Sequence, residues 1–235
     1  MNSHSNEKRV PTVAPFNRHR IRTLVMAASI AFLLSGCFGG GQPGRMTEQY
    51  AFDYTPAEQQ GFAMLPETIT VERFSAAQLY NSTAMVYQEA PNKRNQYLYH
   101  RWRVNPADLV SDYLLRDLRS ANLFQGVFNY RSNESSRFLL SGDVEEFQEY
   151  IDKEDHRAMA SLNVTLLDTA RTGLPDRILF QKNYRIAEPI DEKGPVGVAK
   201  GMSRAVAQVS GLMMNDIFNA VQAVRALKQG DHHEK

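Results

Sequence analysis

Two periods of apolar and polar residues alternate along this chain and mark out its elements. The run Ile69-Thr-Val-Glu-Arg-Phe74, just after Pro66, alternates with period two and predicts a half-buried strand. A second short strand is expected over residues 50–54 and another over 127–130. Residues 84–88 and 96–102 flank the polar stretch Pro91-Asn92-Lys93-Arg94-Asn95, which predicts a hairpin or a longer excursion. In residues 137–152, Phe138, Leu140, Gly142 and Val144 share a face, Glu146 breaks the alternation and Phe147 takes over, which predicts a bulge. Ala158, Ala160, Leu162, Val164 and Leu166 then share a face, as do Ile178, Phe180, Lys182, Tyr184 and Ile186, with Gly173 and Pro175 marking the connection.

The other period is helical. Asn105-Pro106-Ala107-Asp108 combines a capping side chain, a proline suited to the first helical position and an acid at the positive helix end. Leu109, Val110, Tyr113, Leu114 and Leu118 follow at helical spacing, and Asn122 can end the helix in the left-handed conformation. Over residues 198–227 a longer stripe runs through Met202, Ala205, Val206, Val209, Leu212, Met213, Ile217, Val221 and Val224. Interleaved strands and helices predict an α/β fold, a single domain with a small mixed sheet flanked by one helix after the hairpin and one at the C-terminus.

Composition narrows the chemistry. The chain has 235 residues and a formal net charge of +1, with five of its basic residues (Lys8, Arg9, Arg18, Arg20, Arg22) near the N-terminus. No basic surplus points to nucleic acid or to a polybasic lipid-binding patch. Cys37 is the one cysteine, so the chain can form no internal disulfide, no thiol nucleophile is expected in the domain, and a cysteine-rich metal site is excluded.

The segment leading to Cys37 has an order of its own. Arg18, Arg20 and Arg22 precede an uncharged apolar run from Thr23, too short to span a hydrocarbon core, and Leu34-Ser35-Gly36-Cys37 closes it. This resembles a bacterial lipobox; the alternative is a short membrane anchor followed by an incidental cysteine. The resemblance implies a lipoprotein signal peptide over residues 1–36, with diacylglycerol on the Cys37 sulfur and an N-acyl chain such as palmitate on its amine. Phe38, where inner-membrane retention would place Asp, favours the outer membrane. Gly39, Gly40, Gly41, Pro43 and Gly44 make residues 37–49 a flexible tether, with a reach of about 20 Å. The α/β domain is expected over residues 50–227, followed by a polar tail at 228–235.

Other constellations are weighed against plainer readings. The acids Asp143, Glu145, Glu146, Glu149, Asp152, Glu154 and Asp155 lack the spacing of a calcium loop and read as a solvated face and turn. His232-His233 has no third ligand nearby. No nucleophile elbow, phosphate loop or dinucleotide fingerprint occurs. Tyr80, Tyr87, Tyr97, Tyr99 and Trp102 cluster in one segment, either as a hairpin face packed on the sheet or as a contact patch, with Trp102 expected in the core. Met202, Met213 and Met214 could line an apolar groove, but at helical spacing they read as core.

From about Tyr50 to Val224 the chain resembles the ABC-type transport auxiliary lipoproteins (PqiC-like), which accompany mammalian-cell-entry (MCE) lipid transport systems. The resemblance is carried by Ile69-Thr-Val-Glu-Arg-Phe74, Met85-Val-Tyr87, Tyr97-Leu-Tyr-His-Arg-Trp102, Pro106, Phe124-Gln-Gly-Val127 and Leu139-Leu-Ser-Gly-Asp-Val-Glu-Glu-Phe147, followed by the strand 158–168 and the Ala-rich terminal helix. It implies an anticodon-binding-domain-like layout, no enzymatic activity, no catalytic residues, no metal and no cofactor beyond the acyl chains on Cys37. It also implies a place at the periplasmic face of the outer membrane, held by the lipid anchor. There the domain would dock a periplasmic MCE-domain protein of an ABC lipid transporter, with a homo-oligomeric ring of copies as one arrangement. Tyr87, Tyr97 and Tyr99 are the expected partner-binding residues. An envelope lipoprotein that regulates cell-wall synthesis or envelope integrity is the alternative.

Overall fold

In the computed structural model the longest strand of the sheet, β7 (Phe138–Asp152), is the one around which the others are arranged. The structure describes residues 46–56, 62–153 and 155–231, with side chains to 227, so Cys37, Glu154, His232 and His233 lie outside the described residues. One edge of β7 pairs antiparallel along its length with β8 (Asp155–Asp168), which pairs in turn with β9 (Ile178–Pro189). Along the other edge three strands run in series, all parallel to β7: β2 (Leu65–Val71) beside Phe138, β3 (Ser75–Ala76) beside Asp143 and β4 (Ala84–Ala90) beside Gln148. Beyond them β6 (Phe124–Asn129) lies parallel to β2, β5 (Lys93–Trp102) antiparallel to β4, and β1 (Glu48–Tyr50) parallel to β5. The sheet is mixed and the fold is α/β.

The expected bulge is present. Val144 pairs with Leu162 but Glu146 with Ser161, so Glu145 is the extra residue and Phe147 regains the inner face opposite Ala160. The first strand is expected over residues 50–54, but β1 lies ahead of that span at Glu48–Tyr50 and shares only Tyr50 with it. It ends at Tyr50, because Phe52 turns into the core and the Tyr54 hydroxyl donates to Asp117 Oδ2 at 2.8 Å.

Helix α1 (Pro106–Ser120) starts as its sequence directs. The Asn105 side chain accepts from the Ala107 amide at 2.9 Å, and Asn122 beyond the far end takes φ 49°. After the single turn α2 (Leu174–Arg177), helix α3 (Pro195–Asp231) runs 37 residues, about 55 Å at 1.5 Å per residue. α1 and α3 touch each other and cover the same face of the sheet. The face they cover buries Leu162, Val164 and Leu166 of β8 against Val206, Val209, Met213 and Ile217, so the methionines of α3 are core. Gly201 lets α3 approach closely: a Cβ there would come 2.8 Å from the Ala158 Cβ. β9 is tied to α3 by Tyr184 and Lys182, which donate to Asp216 at 2.7 and 2.6 Å. Burial alone would raise the Asp216 carboxyl, but these two hydrogen bonds and the lysine charge hold it below the ordinary carboxylate range.

At the β5 end of the core, Phe52, Trp102, Tyr113 and Phe147 form an aromatic cluster, with ring centroids 5.9 Å apart for Phe52–Trp102 and 5.3 Å for Trp102–Phe147. Trp102 is buried, as expected. No helix among the described residues covers the opposite face of the sheet, which nevertheless buries Gln88, Gln148, Met159 and Ser161.

Candidate functional site

The β4–β5 hairpin turns at Pro91-Asn92, with Val86, Tyr87 and Gln88 of β4 paired to β7. Its two faces have different work. On the inner face Tyr87 and Tyr97 lie together, ring centroids 5.0 Å apart, both half-buried. The Tyr97 hydroxyl donates to Glu149 Oε2 at 2.6 Å, and His156 Nδ1 lies 2.7 Å from Glu149 Oε1. Glu149 is fully buried, so this chain links β5, β7 and β8 through one enclosed carboxylate. Burial, then the Glu149 hydrogen bond, pushes the Tyr97 phenol well above its usual range.

Further along, Tyr97 meets His100 edge-on at 6.1 Å. His100 Nδ1 is 3.1 Å from the Tyr50 hydroxyl, which donates to Glu48 at 2.7 Å. Burial and the Glu48 contact raise Tyr50 to about 12. These side chains fasten β1 to β5.

The outer face is different. Leu98 is 72% exposed and Leu79, in the 3-10 turn Gln78–Tyr80, is 50% exposed. They border a cleft of ≈ 780 Å³ that Val86 and Tyr87 also line, with Lys93 and Arg94 at its margin. Tyr99 is 40% exposed.

The expected contact residues therefore separate. Tyr87 and Tyr97 are brought together and Tyr99 stands nearer the surface, while Cys37 lies outside the described residues. The acidic run read as a solvated face departs from that reading at Glu149. Past the bulge, alternation from Phe147 places residue 149 on the inner face, and two hydrogen bonds compensate its burial there. That alternation was the available signal for Glu149. For Leu98 the signal was an apolar side chain between two tyrosines on a strand, pointing opposite to both. Among the described residues no group of three His, Cys, Asp or Glu side chains could hold a metal ion.

Tyr97→Phe is expected to cost about 1–2 kcal/mol, because Glu149 loses a donor where water does not reach. Tyr87→Phe, which removes no such bond, should be near neutral. Urea denaturation of the two variants makes the comparison, and equal stabilities would show that the Tyr97–Glu149 bond contributes nothing.

The family model for the ABC-type transport auxiliary lipoprotein component matches residues 50–213. This chain belongs to that family. The match spans most of the auxiliary lipoprotein's sheet, both strands of the hairpin and α1, and ends within α3. Solved structures share the fold. Protein XCC0632 from Xanthomonas campestris, a DUF330 protein, is 18% identical with a TM-score of 0.68, covering 76% of this chain and 99% of that one. An uncharacterized protein is 13% identical with a TM-score of 0.58, covering 73% and 99%. No curated protein matches the chain. No described helix of the auxiliary lipoprotein is long and apolar enough to cross a membrane.

Proposed function

We propose that this auxiliary lipoprotein is held at the periplasmic face of the outer membrane by acyl chains on Cys37 and docks the periplasmic MCE protein of an ABC lipid transporter. Its contribution is a positioned surface, with no chemical step of its own. The observation that carries the reading is the exposed pair Leu79 and Leu98 over the hairpin cleft, in a chain of the transport auxiliary family. Exposed large apolar side chains beside a cleft with a polar margin suit a protein contact. Tyr99 adds surface beside it and Tyr87 lines the cleft, while Tyr97 contributes indirectly by holding β5 on β7.

The test uses the lipidated protein in nanodiscs and the purified periplasmic part of the MCE protein. Leu79→Asp with Leu98→Asp is expected to weaken capture at least tenfold, about 1.4 kcal/mol or more. The melting temperature should stay near wild type, because both side chains are exposed. Unchanged capture removes the hairpin from the interface. In cells, Cys37→Ala should abolish incorporation of radioactive fatty acid, and equal labelling overturns the anchor.

A further inference from the structure

The sheet face opposite α1 and α3 carries a second hollow, ≈ 420 Å³, over β4, β7, β8 and β9. Its volume is within the range of small-ligand pockets, about 300–1,000 Å³. Three rows of outward-facing residues cross the strands here. Gln88, Tyr150 and Arg157 form the first, Gln148, Met159 and Ala187 the second, and Glu146, Ser161 and Arg185 the third. Met159 and Ala187 of the middle row make an apolar floor: Met159 is buried although no helix among the described residues covers it, Ala187 is exposed beside it, and the Tyr150 ring stands at its edge.

An arginine stands on either side of that floor, their backbones about 14 Å apart by strand rise. Neither guanidinium is used up. Arg157 gives Nε to Asp155 Oδ2 at 2.8 Å, and Arg185 gives Nε and Nη2 to Glu146 Oε2 at 3.1 and 3.0 Å. Both Nη atoms of Arg157 and Nη1 of Arg185 have no acceptor among the described residues. The carboxylate that faces the hollow is already engaged, since Glu146 Oε1 accepts from Gln148 Nε2 at 2.8 Å. Gln148 is fixed in turn by Arg94 Nε at 3.1 Å and by its own bond to Gln88 Oε1 at 2.9 Å. The walls are thus held by saturated side chains, and the spare donors belong to the two arginines.

Planar guanidinium groups with free N–H pairs suit phosphate oxygens, and an apolar floor between them suits the carbon skeleton attached to the phosphate. We infer that this hollow binds the phosphodiester headgroup of an anionic phospholipid, with Arg157 and Arg185 on the phosphate and the glycerol end against Met159 and Ala187. A free phosphate would use the same arginines but not the floor. The choice of a lipid rests on that floor and on the proposed place in lipid transport.

The experiment is native mass spectrometry of the full chain in maltoside, titrated with dihexanoyl phosphatidylglycerol, dihexanoyl phosphatidylcholine or inorganic phosphate, with no MCE protein present. Wild type should retain one phosphatidylglycerol, and phosphatidylcholine should bind at least tenfold more weakly. Arg157→Gln with Arg185→Gln should reduce phosphatidylglycerol binding at least tenfold. Ala187→Asp, at an exposed position that leaves both arginines in place, should abolish it. Equal binding by wild type and the double arginine variant overturns the site. Phosphate binding as tight as phosphatidylglycerol overturns the lipid and leaves a free-anion site. Because phospholipid binding is read with no MCE protein present, and capture is read on the Leu79 and Leu98 variant that leaves both arginines in place, failure of docking and failure of this site are separate results.

Discussion

Val164→Asp is expected to unfold the domain near room temperature. Val164 is fully buried on β8, between Gly142 of β7 and Lys182 of β9, on the face that α3 covers. The neighbouring Lys182 is already engaged by Asp216 at 2.6 Å, so an acid there would have to compete for that base. Burying an unpaired carboxylate costs several kcal/mol, and the net stability of a whole domain is only about 5–15 kcal/mol. Gln181→Asp is the control. It lies on the neighbouring strand opposite Thr165, exposed, and should change stability by no more than about 0.5 kcal/mol. Thermal melts of both variants decide the matter: a Val164→Asp protein that melts near wild type would mean that the β8 face assignment is wrong.

Gly142→Val is expected to be the next most damaging of these substitutions, at about 3 kcal/mol, the upper end of typical overpacking costs. Space is the cause. A Cβ at residue 142 would come 2.5 Å from the carbonyl oxygen of Asn163 and 2.6 Å from the Phe74 ring. The ring can shift, but the carbonyl belongs to a strand paired on both edges and cannot move without disturbing β9. Chemical denaturation of Gly142→Ala and Gly142→Val should show a graded loss, and a neutral valine would mean that the β8 backbone at Asn163 can give way.

Residue 142 shows what the pattern of the sequence could convey. Its membership of the inner row Phe138, Leu140, Gly142, Val144 was legible, as were the bulge that follows, the capped start of α1 and the alternating faces of β8 and β9, because each depends on neighbours close in the chain. The reason for a glycine was not, since Asn163 meets it only across the β7–β8 pairing and Phe74 only after β2 and β3 line up along the other edge of β7. That series arrangement was equally hidden: short parallel strands carry no local mark of which edge they will join. At the hairpin, aromatic clustering located the right segment, but not which side chains face outward. Tyr97 is drawn inward by a buried acid some fifty residues away, and that left Leu98 to the surface.

The way β1 joins the sheet has a mechanical consequence. Glu48, Gln49 and Tyr50 pair in parallel with His100, Arg101 and Trp102, so a pull on the chain ahead of Glu48 toward the hairpin turn runs along the strand axis. Such a load shears the three pairs together; it does not unzip them one by one. The Tyr50 carbonyl, which accepts from the Arg103 amide at 2.7 Å, adds one more restraint at the inner end. If β1 yields, tension reaches Phe52, wedged against Trp102, Tyr113 and Phe147, and that ring acts as a stop that must leave the core before the rest of the sheet bears any force.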